Sequence, residues 1–149
     1  MSDIVEPRIV EGGIAVDDRG QLIFANDFVL SDFRRFYMIK NHSPQFVRAW
    51  HGHKLEAKAI VVAEGAAIVG AVRIDNWDKP SPTLVPHRHV LTAKKPSVLL
   101  IPPGYANGIM TLSAETIVCV FSSSSVEDSR GDDYRFPSRL WDIWGVEER

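Results

Sequence analysis

The sequence predicts an all-β sandwich or barrel folded as one domain, and three observations carry that prediction. Ten short apolar stretches, many of them β-branched, run through the chain. Segments rich in Gly, Pro, Asn, Asp and Ser separate them. No stretch before Val126 shows sustained helical periodicity, apart from a short run at Asp27–Phe33.

The first strand is expected near Ile9–Val16 and ends at the turn DDRG, which leads to a second near Leu22–Ala25. Arg34–Ile39 follows, and NHSPQ turns the chain into Phe46–His51. Lys58–Ala63 is divided from Ala67–Ile74 by AEG, and DNWDKPSP leads on to Val85–Thr92. AKKP precedes Ser97–Ile101, IPPGYANG precedes Gly108–Leu112, and Thr116–Phe121 closes the series. Beyond it Trp141 and Trp144 are three apart in RLWDIWGVEER, a helical spacing. No repeat, linker or biased tract interrupts residues 1–149 beyond Ser122–Ser125, and 149 residues suit one core.

Composition narrows the function. A formal net charge of -2 gives no basic excess for nucleic acid. The opening MSDIVEPRIVEGG is charged throughout and lacks the apolar centre of a secretory signal, and no apolar run reaches membrane-spanning length. Cys119 is the single cysteine, expected as a small buried hydrophobe. These features together point to the cytoplasm.

VRAWHGHKLEAKAIVVAEG is the most informative passage. His51 and His53 are two apart, so on a strand both project to one face. With Glu56 and Lys58 they make a compact polar group among apolar strands. Such a group either sits at a solvated strand end or lines a wet cavity, because burying it unpaired is costly. Arg48 lies at odd spacing from His51 and shares its face only if a bulge near Ala49 shifts the register. His-x-His followed by a glutamate is also half of a metal-binding cupin pattern. Here Glu56 falls early and Asn107 stands where the second half requires a histidine, so no metal is expected.

The ordered motifs make the chain resemble the dTDP-4-dehydrorhamnose 3,5-epimerases, which are cupins, from Asp17 to about Trp144. DDRG at Asp17–Gly20 is similar to the family's Asp-x-Arg-Gly turn, and Asn41-His42-Ser43 to its Asn-His-Ser segment. Arg48-Ala49-Trp50-His51 resembles Arg-Gly-Leu-His, and AKAIVVAEG places Lys58 on the family's lysine. IPPGYANGIMTLS resembles the Ile-Pro-x-Gly-Phe-Ala-His-Gly turn and strand, and Arg130-Gly131 through Trp141 resembles the family's closing region.

The resemblance implies a cupin-type jelly-roll β-barrel with a short C-terminal helical or irregular segment. It also implies a homodimer, no metal or organic cofactor, and a nucleotide-diphosphate sugar as substrate. By position His51 would be the base and Lys58 the enolate stabiliser. Arg48 and Arg19 would contact substrate, and Asn41 and Asn107 would occupy substrate-contacting positions. Arg48-Ala49-Trp50-His51-Gly52-His53-Lys54 also resembles the Arg-Gly-x-His-Ala-His-Lys of the related nucleotide-sugar 3,4-ketoisomerases, which gives His53 a catalytic place.

These residue types fit enolisation. A ketone at C4 acidifies the hydrogens at C3 and C5. An imidazole can remove one near neutral pH, a cation can hold the oxyanion, and arginine forks match phosphate oxygens. The expected function is therefore an isomerase acting beside the ketone of a nucleotide-diphospho-4-keto-6-deoxysugar. Epimerase stands first, ahead of 3,4-ketoisomerase or a non-catalytic binding cupin. The departures concern the acid: the family's tyrosine aligns with Ser122–Ser125, and only Tyr134 or Tyr105 is at hand. The aspartate that orients the base also has no counterpart, with Asp128, Asp132 and Asp142 as candidates. Trp50, beside His51, is the favoured stacking residue over Trp77, and the second His-x-His pair, His87 and His89, is expected at a solvent-edged strand.

Overall fold

The computed structural model describes residues 5–149, and all its strand pairings are antiparallel. One sheet runs in the order β1 (Arg8–Glu11), β9 (Ser97–Ile101), β6 (Lys58–Glu64), β11 (Ile117–Ser122), β4 (Arg35–Ile39). The other runs β12 (Tyr134–Arg135), β5 (Val47–His53), β10 (Tyr105–Thr111), β7 (Ala66–Arg73), β8 (His87–Thr92). A separate hairpin joins β2 (Gly13–Asp17) to β3 (Gly20–Phe24), and α1 spans only Val126–Arg130. This is the jelly roll implied by the motifs, with a short helix near its C-terminal end.

Period-two alternation decides what fills the barrel. On β6, Ile60 and Val62 point inward to meet Val69 and Ala71 of β7, Leu99 and Ile101 of β9, and Val118 and Val120 of β11. Their neighbours face outward, where two further apolar layers cover the sheets. Trp141 and Trp144 fold back over Trp50 and Met110 on the second sheet. Phe28 and Phe33 cover Val98, Leu100 and Phe121 on the first.

Most expected strands form within one to three residues of their predicted limits, and three differences have physical causes. The stretch Ile9–Val16 breaks at Gly12, where a Cβ would stand 2.3 Å from the Phe24 carbonyl oxygen. Asp27–Phe33 forms turns rather than a helix, because its aromatics wedge onto Phe121, with the Phe28 and Phe121 rings 5.5 Å apart. The Trp141–Trp144 spacing is not helical either. The segment is irregular, and both indoles anchor it, donating to the carbonyls of Ser81 and Ser138 at 2.9 Å. Among the described residues no helix is long and apolar enough to cross a membrane.

Candidate active site

The site is assembled by a bulge. Asn107 pairs with His51 and Ile109 with Arg48, so Ala49 and Trp50 together oppose the single residue Gly108. The extra residue restores Arg48 and His51 to the same inward face despite their odd spacing. Gly108 is required: a Cβ there would lie 2.5 Å from that of Ala49 and 2.8 Å from the Trp144 ring.

Arg48, His51 and Asn107 reach a cavity of about 350 Å³ from the second sheet, and Tyr37 and Lys58 reach it from the first. An adjoining recess of about 220 Å³ shares Tyr37, His51 and Lys58, and adds His53 and Glu56. Arg35, Arg130 and Arg135 stand around that recess. The predicted pair His51 and Lys58 therefore shares one open-mouthed cavity. A larger hollow of about 520 Å³, bordered by Leu55, Arg73, Trp77 and Tyr105, contains none of these groups.

Hydrogen bonds fix the orientations. Arg48 Nε donates to Asn41 Oδ1 at 2.8 Å, and Asn41 Nδ2 donates to Thr111 Oγ1 at 3.2 Å, so Asn41 buttresses the arginine. Asn107 Nδ2 donates to the His51 carbonyl at 3.3 Å. His53 Nδ1 lies 2.6 Å from the Asp132 carbonyl oxygen. A carbonyl only accepts, so Nδ1 carries the hydrogen and Nε2 is left bare. That buried Nε2 has no hydrogen-bond partner and faces Glu56 Oε2 at 3.9 Å. Glu56 Oε2 lies 3.7 Å from Lys58 Nζ, which in turn donates to the Tyr37 hydroxyl at 3.1 Å.

Burial makes His51 a neutral base. Desolvation first, then the charges of Arg135 and Lys58, bring its pKa down from 6.5 to about 4, against a smaller opposing pull from Asp133. His53 is also lowered by desolvation and Lys58, while Glu56 acts in the other direction. Both imidazoles are thus uncharged near pH 7.

Several expectations are corrected. Trp50 does not line the cavity: it points to the outer face of its sheet, fully buried against Trp141 and Trp144. It is a packing residue because the bulge turns Trp50 outward as it turns Arg48 and His51 inward. Trp77 has an open face on the larger hollow, where Lys54 lies over its ring and that of Tyr134. Arg19 sits at the exposed tip of the β2–β3 hairpin, paired with Asp17, and does not reach the cavity within one chain. Asp128 and Asp142 are exposed partners of Arg34 and Arg139. Asp132 is buried, but its carboxylate accepts from the backbone N–H groups of Lys54, Leu55 and Glu56, and its carbonyl orients His53 rather than His51. His87 is exposed, whereas His89 is half-buried on the inward register shared with Leu91, its Nε2 without a partner. Cys119 is half-buried on the outer face of its sheet, where burial raises the thiol.

The serines that replace the expected tyrosine serve the backbone. Ser123 Oγ accepts from Ala57 N–H, Ser125 Oγ caps α1 by accepting from Asp128 N–H, and Ser122 Oγ is bonded to Ser124. Tyr105 donates to the Val5 carbonyl, and Tyr134 packs on Trp77. The phenol that does reach the cavity is Tyr37, which sequence reasoning did not single out. Its signal was the alternation in RFYMI, which puts Arg35, Tyr37 and Ile39 on one face of β4. No group of three or more His, Cys, Asp or Glu side chains among the described residues converges as metal ligands would.

The model of the family described as FdtA, WxcM-like C-terminal, matches residues 6–136. The chain belongs to that family. Several solved structures are similar to its barrel. The TDP-quinovose 3,4-ketoisomerase WlaRB of Campylobacter jejuni is 20% identical, with 93% of this chain and 98% of that one covered at a TM-score of 0.68. The dTDP-4-dehydrorhamnose 3,5-epimerase of Bacillus anthracis, solved with TDP and PPi, is 23% identical over 95% and 86% of the two chains, TM-score 0.72. The RmlC epimerase of Legionella pneumophila, in complex with dTDP-4-keto-L-rhamnose, is 20% identical over 99% and 82%, TM-score 0.73. No curated protein matches the sequence. Both families named from the motifs thus appear among the structural neighbours of this FdtA-family chain.

Proposed function

We propose that this protein moves the ketone of a nucleotide-diphospho-4-keto-6-deoxysugar from C4 to C3. The observation that carries the proposal is His51, a neutral imidazole, in one cavity with the Lys58–Tyr37 pair on the opposite sheet. His51 takes the C3 proton while Tyr37 gives its phenolic proton to O4, which yields an enediol. The Tyr37 phenolate then takes the O3 proton as the His51 imidazolium returns its own to C4. Ketone and hydroxyl have exchanged places, and both side chains end as they began. Lys58 stabilises the oxyanion and the phenolate, and Arg48, Arg35, Arg130 and Arg135 offer cations to the diphosphate. Membership of the FdtA family and the likeness to a ketoisomerase over 98% of its length support this order over the epimerase-first ranking.

Epimerisation is the second reading, favoured by Lys58 and by Tyr37, which faces His51 from the other sheet. Incubation with dTDP-4-keto-6-deoxyglucose in heavy water separates them. A 3-keto product supports ketoisomerisation, and deuterium at C4 reports how far the His51 imidazolium exchanges with solvent before returning its proton. A 4-keto product labelled at C3 or C5 with inversion supports epimerisation. Binding with neither label nor a changed product assigns a non-catalytic role, and His51→Asn indistinguishable from wild type removes His51 from the chemistry.

The reading includes a second copy of the chain. Val16 and Leu22 on the hairpin are 75% and 62% exposed, and Phe36 and Met38 of β4 are open on the outer face of the first sheet. Sedimentation equilibrium is expected to give a dimer, and Phe36→Glu with Leu22→Glu a monomer.

A further inference from the structure

Glu56 is a buried carboxylate with no side-chain hydrogen bond among the described residues. Its side chain is 1% exposed, and neither oxygen has a hydrogen-bond partner there. Its neighbours are the charged Lys58 Nζ at 3.7 Å and the neutral His53 Nε2 at 3.9 Å. Its backbone is held as well, because Asp132 accepts the Glu56 N–H at 3.0 Å. An ion pair withdrawn from water is weak support for a fold, since its desolvation commonly cancels its attraction. What the carboxylate does supply is a fixed negative charge 3.7 Å from the Lys58 ammonium, which also reaches Tyr37.

We propose that Glu56 is a positioning residue, whose carboxylate holds the Lys58 ammonium against Tyr37 and towards the reacting oxygens. This rests on the isomerase reading given above. An ammonium has three donors and no acceptor. With one N–H on Tyr37 and its charge balanced by Glu56, Lys58 has a donor left for the enolate oxygen. The bare Nε2 of His53, fixed by the Asp132 carbonyl, stands 3.9 Å from the same Glu56 oxygen. The groups facing this centre are His51 and His53 from β5, Arg35 and Tyr37 from β4, Arg130 from α1, and Asp133 and Arg135 from the C-terminal segment. Cations dominate that set, so without Glu56 the Lys58 ammonium would lose the carboxylate beside it and be pushed off Tyr37 by Arg35, Arg130 and Arg135.

Glu56→Gln keeps the shape and removes the charge. The expected loss in kcat is about tenfold or more, with KM within about twofold. Glu56→Asp restores part of the rate. No loss in kcat, or a loss carried by KM instead, overturns the proposal. A second measurement needs no turnover: the Lys58 Cε resonance of ¹³C-lysine protein is expected to be a single sharp signal in wild type and to shift or broaden in Glu56→Gln, where nothing holds the side chain against Tyr37. An unchanged signal rejects the Glu56 assignment whatever the reaction. A shifted signal in a protein that moves no sugar proton upholds it while rejecting the isomerase.

Discussion

Lys58 Nζ lies 3.1 Å from the hydroxyl oxygen of Tyr37, and the direction of that bond is dictated by chemistry. The ammonium can only donate, so the phenol accepts and its own proton stays free for the cavity. The positive charge beside the phenol also stabilises the phenolate that proton donation leaves behind.

Tyr37→Phe removes that proton and little else, since the ring can keep its packing against the barrel core. Proton transfer by a positioned group contributes about 10²–10⁴-fold, so kcat is expected to fall by that order with the melting temperature almost unchanged. Steady-state kinetics with thermal unfolding check this. Wild-type turnover in Tyr37→Phe would exclude the phenol as the acid.

For His51 the consequence is a pH profile. With a folded value of about 4, the imidazole is a competent base across the neutral range. The acid limb of kcat/KM is expected near pH 4 rather than 6.5, with a plateau above it. Stability follows the same linkage. The unfolded histidine, near 6.5, binds its proton before the folded one does as pH falls. The stability His51 contributes is therefore complete above pH 6.5 and declines between 6.5 and about 4. His51→Asn removes that part of the slope in urea unfolding. A limb centred at 6.5 would contradict the buried, cation-flanked setting of the ring.

The sequence was legible where one period governs the residues. Strand positions followed from alternation and turns, and His51 and His53 share one recess because i, i+2 spacing sets a face, while Lys58 was placed there by the motif resemblance. Arg48 needed the bulge inferred from its odd spacing, and Gly108 shows why one forms there. The reading stopped at contacts between distant strands. Tyr37 is on β4, 21 residues before Lys58, and only β11, which pairs with both β4 and β6, brings them together on one sheet. Trp50 misled because proximity in sequence to His51 means the opposite face on a strand. Arg19 is explained by hairpin geometry, which holds it at a tip far along the chain from any cavity-lining residue.

The packing role given to Trp50 has its own test. Its ring centroid stands 5.3 Å from Trp144 and 5.6 Å from Trp141, and its edge closes the space a side chain at Gly70 would need. Trp50→Ala is expected to cost about 3–5 kcal/mol in chemical denaturation. KM of the fraction that stays folded should be little altered. A variant that keeps its stability and loses substrate affinity would return Trp50 to the binding site.

Asp132 joins fold and site more directly than any other carboxylate of the chain. Its two oxygens take three consecutive backbone N–H groups, those of Lys54 at 2.7 Å, Leu55 at 2.9 Å and Glu56 at 3.0 Å, and its carbonyl takes the His53 ring. This clamp fixes the β5–β6 connection on which His53, Glu56 and Lys58 all depend. Asp132→Ala leaves those donors without an acceptor, at a cost of about 2 kcal/mol or more. Asp132→Asn keeps acceptor capacity at one oxygen and should fall between the two. Amide exchange of Leu55 and Glu56 is expected to quicken in both variants, and the ¹⁵N shifts of His53 to lose the single Nδ1–H tautomer in Asp132→Ala. Protected amides and an unmoved imidazole in that variant would show that the loop holds its shape without the clamp, and would leave the orientation of His53 to the barrel wall alone.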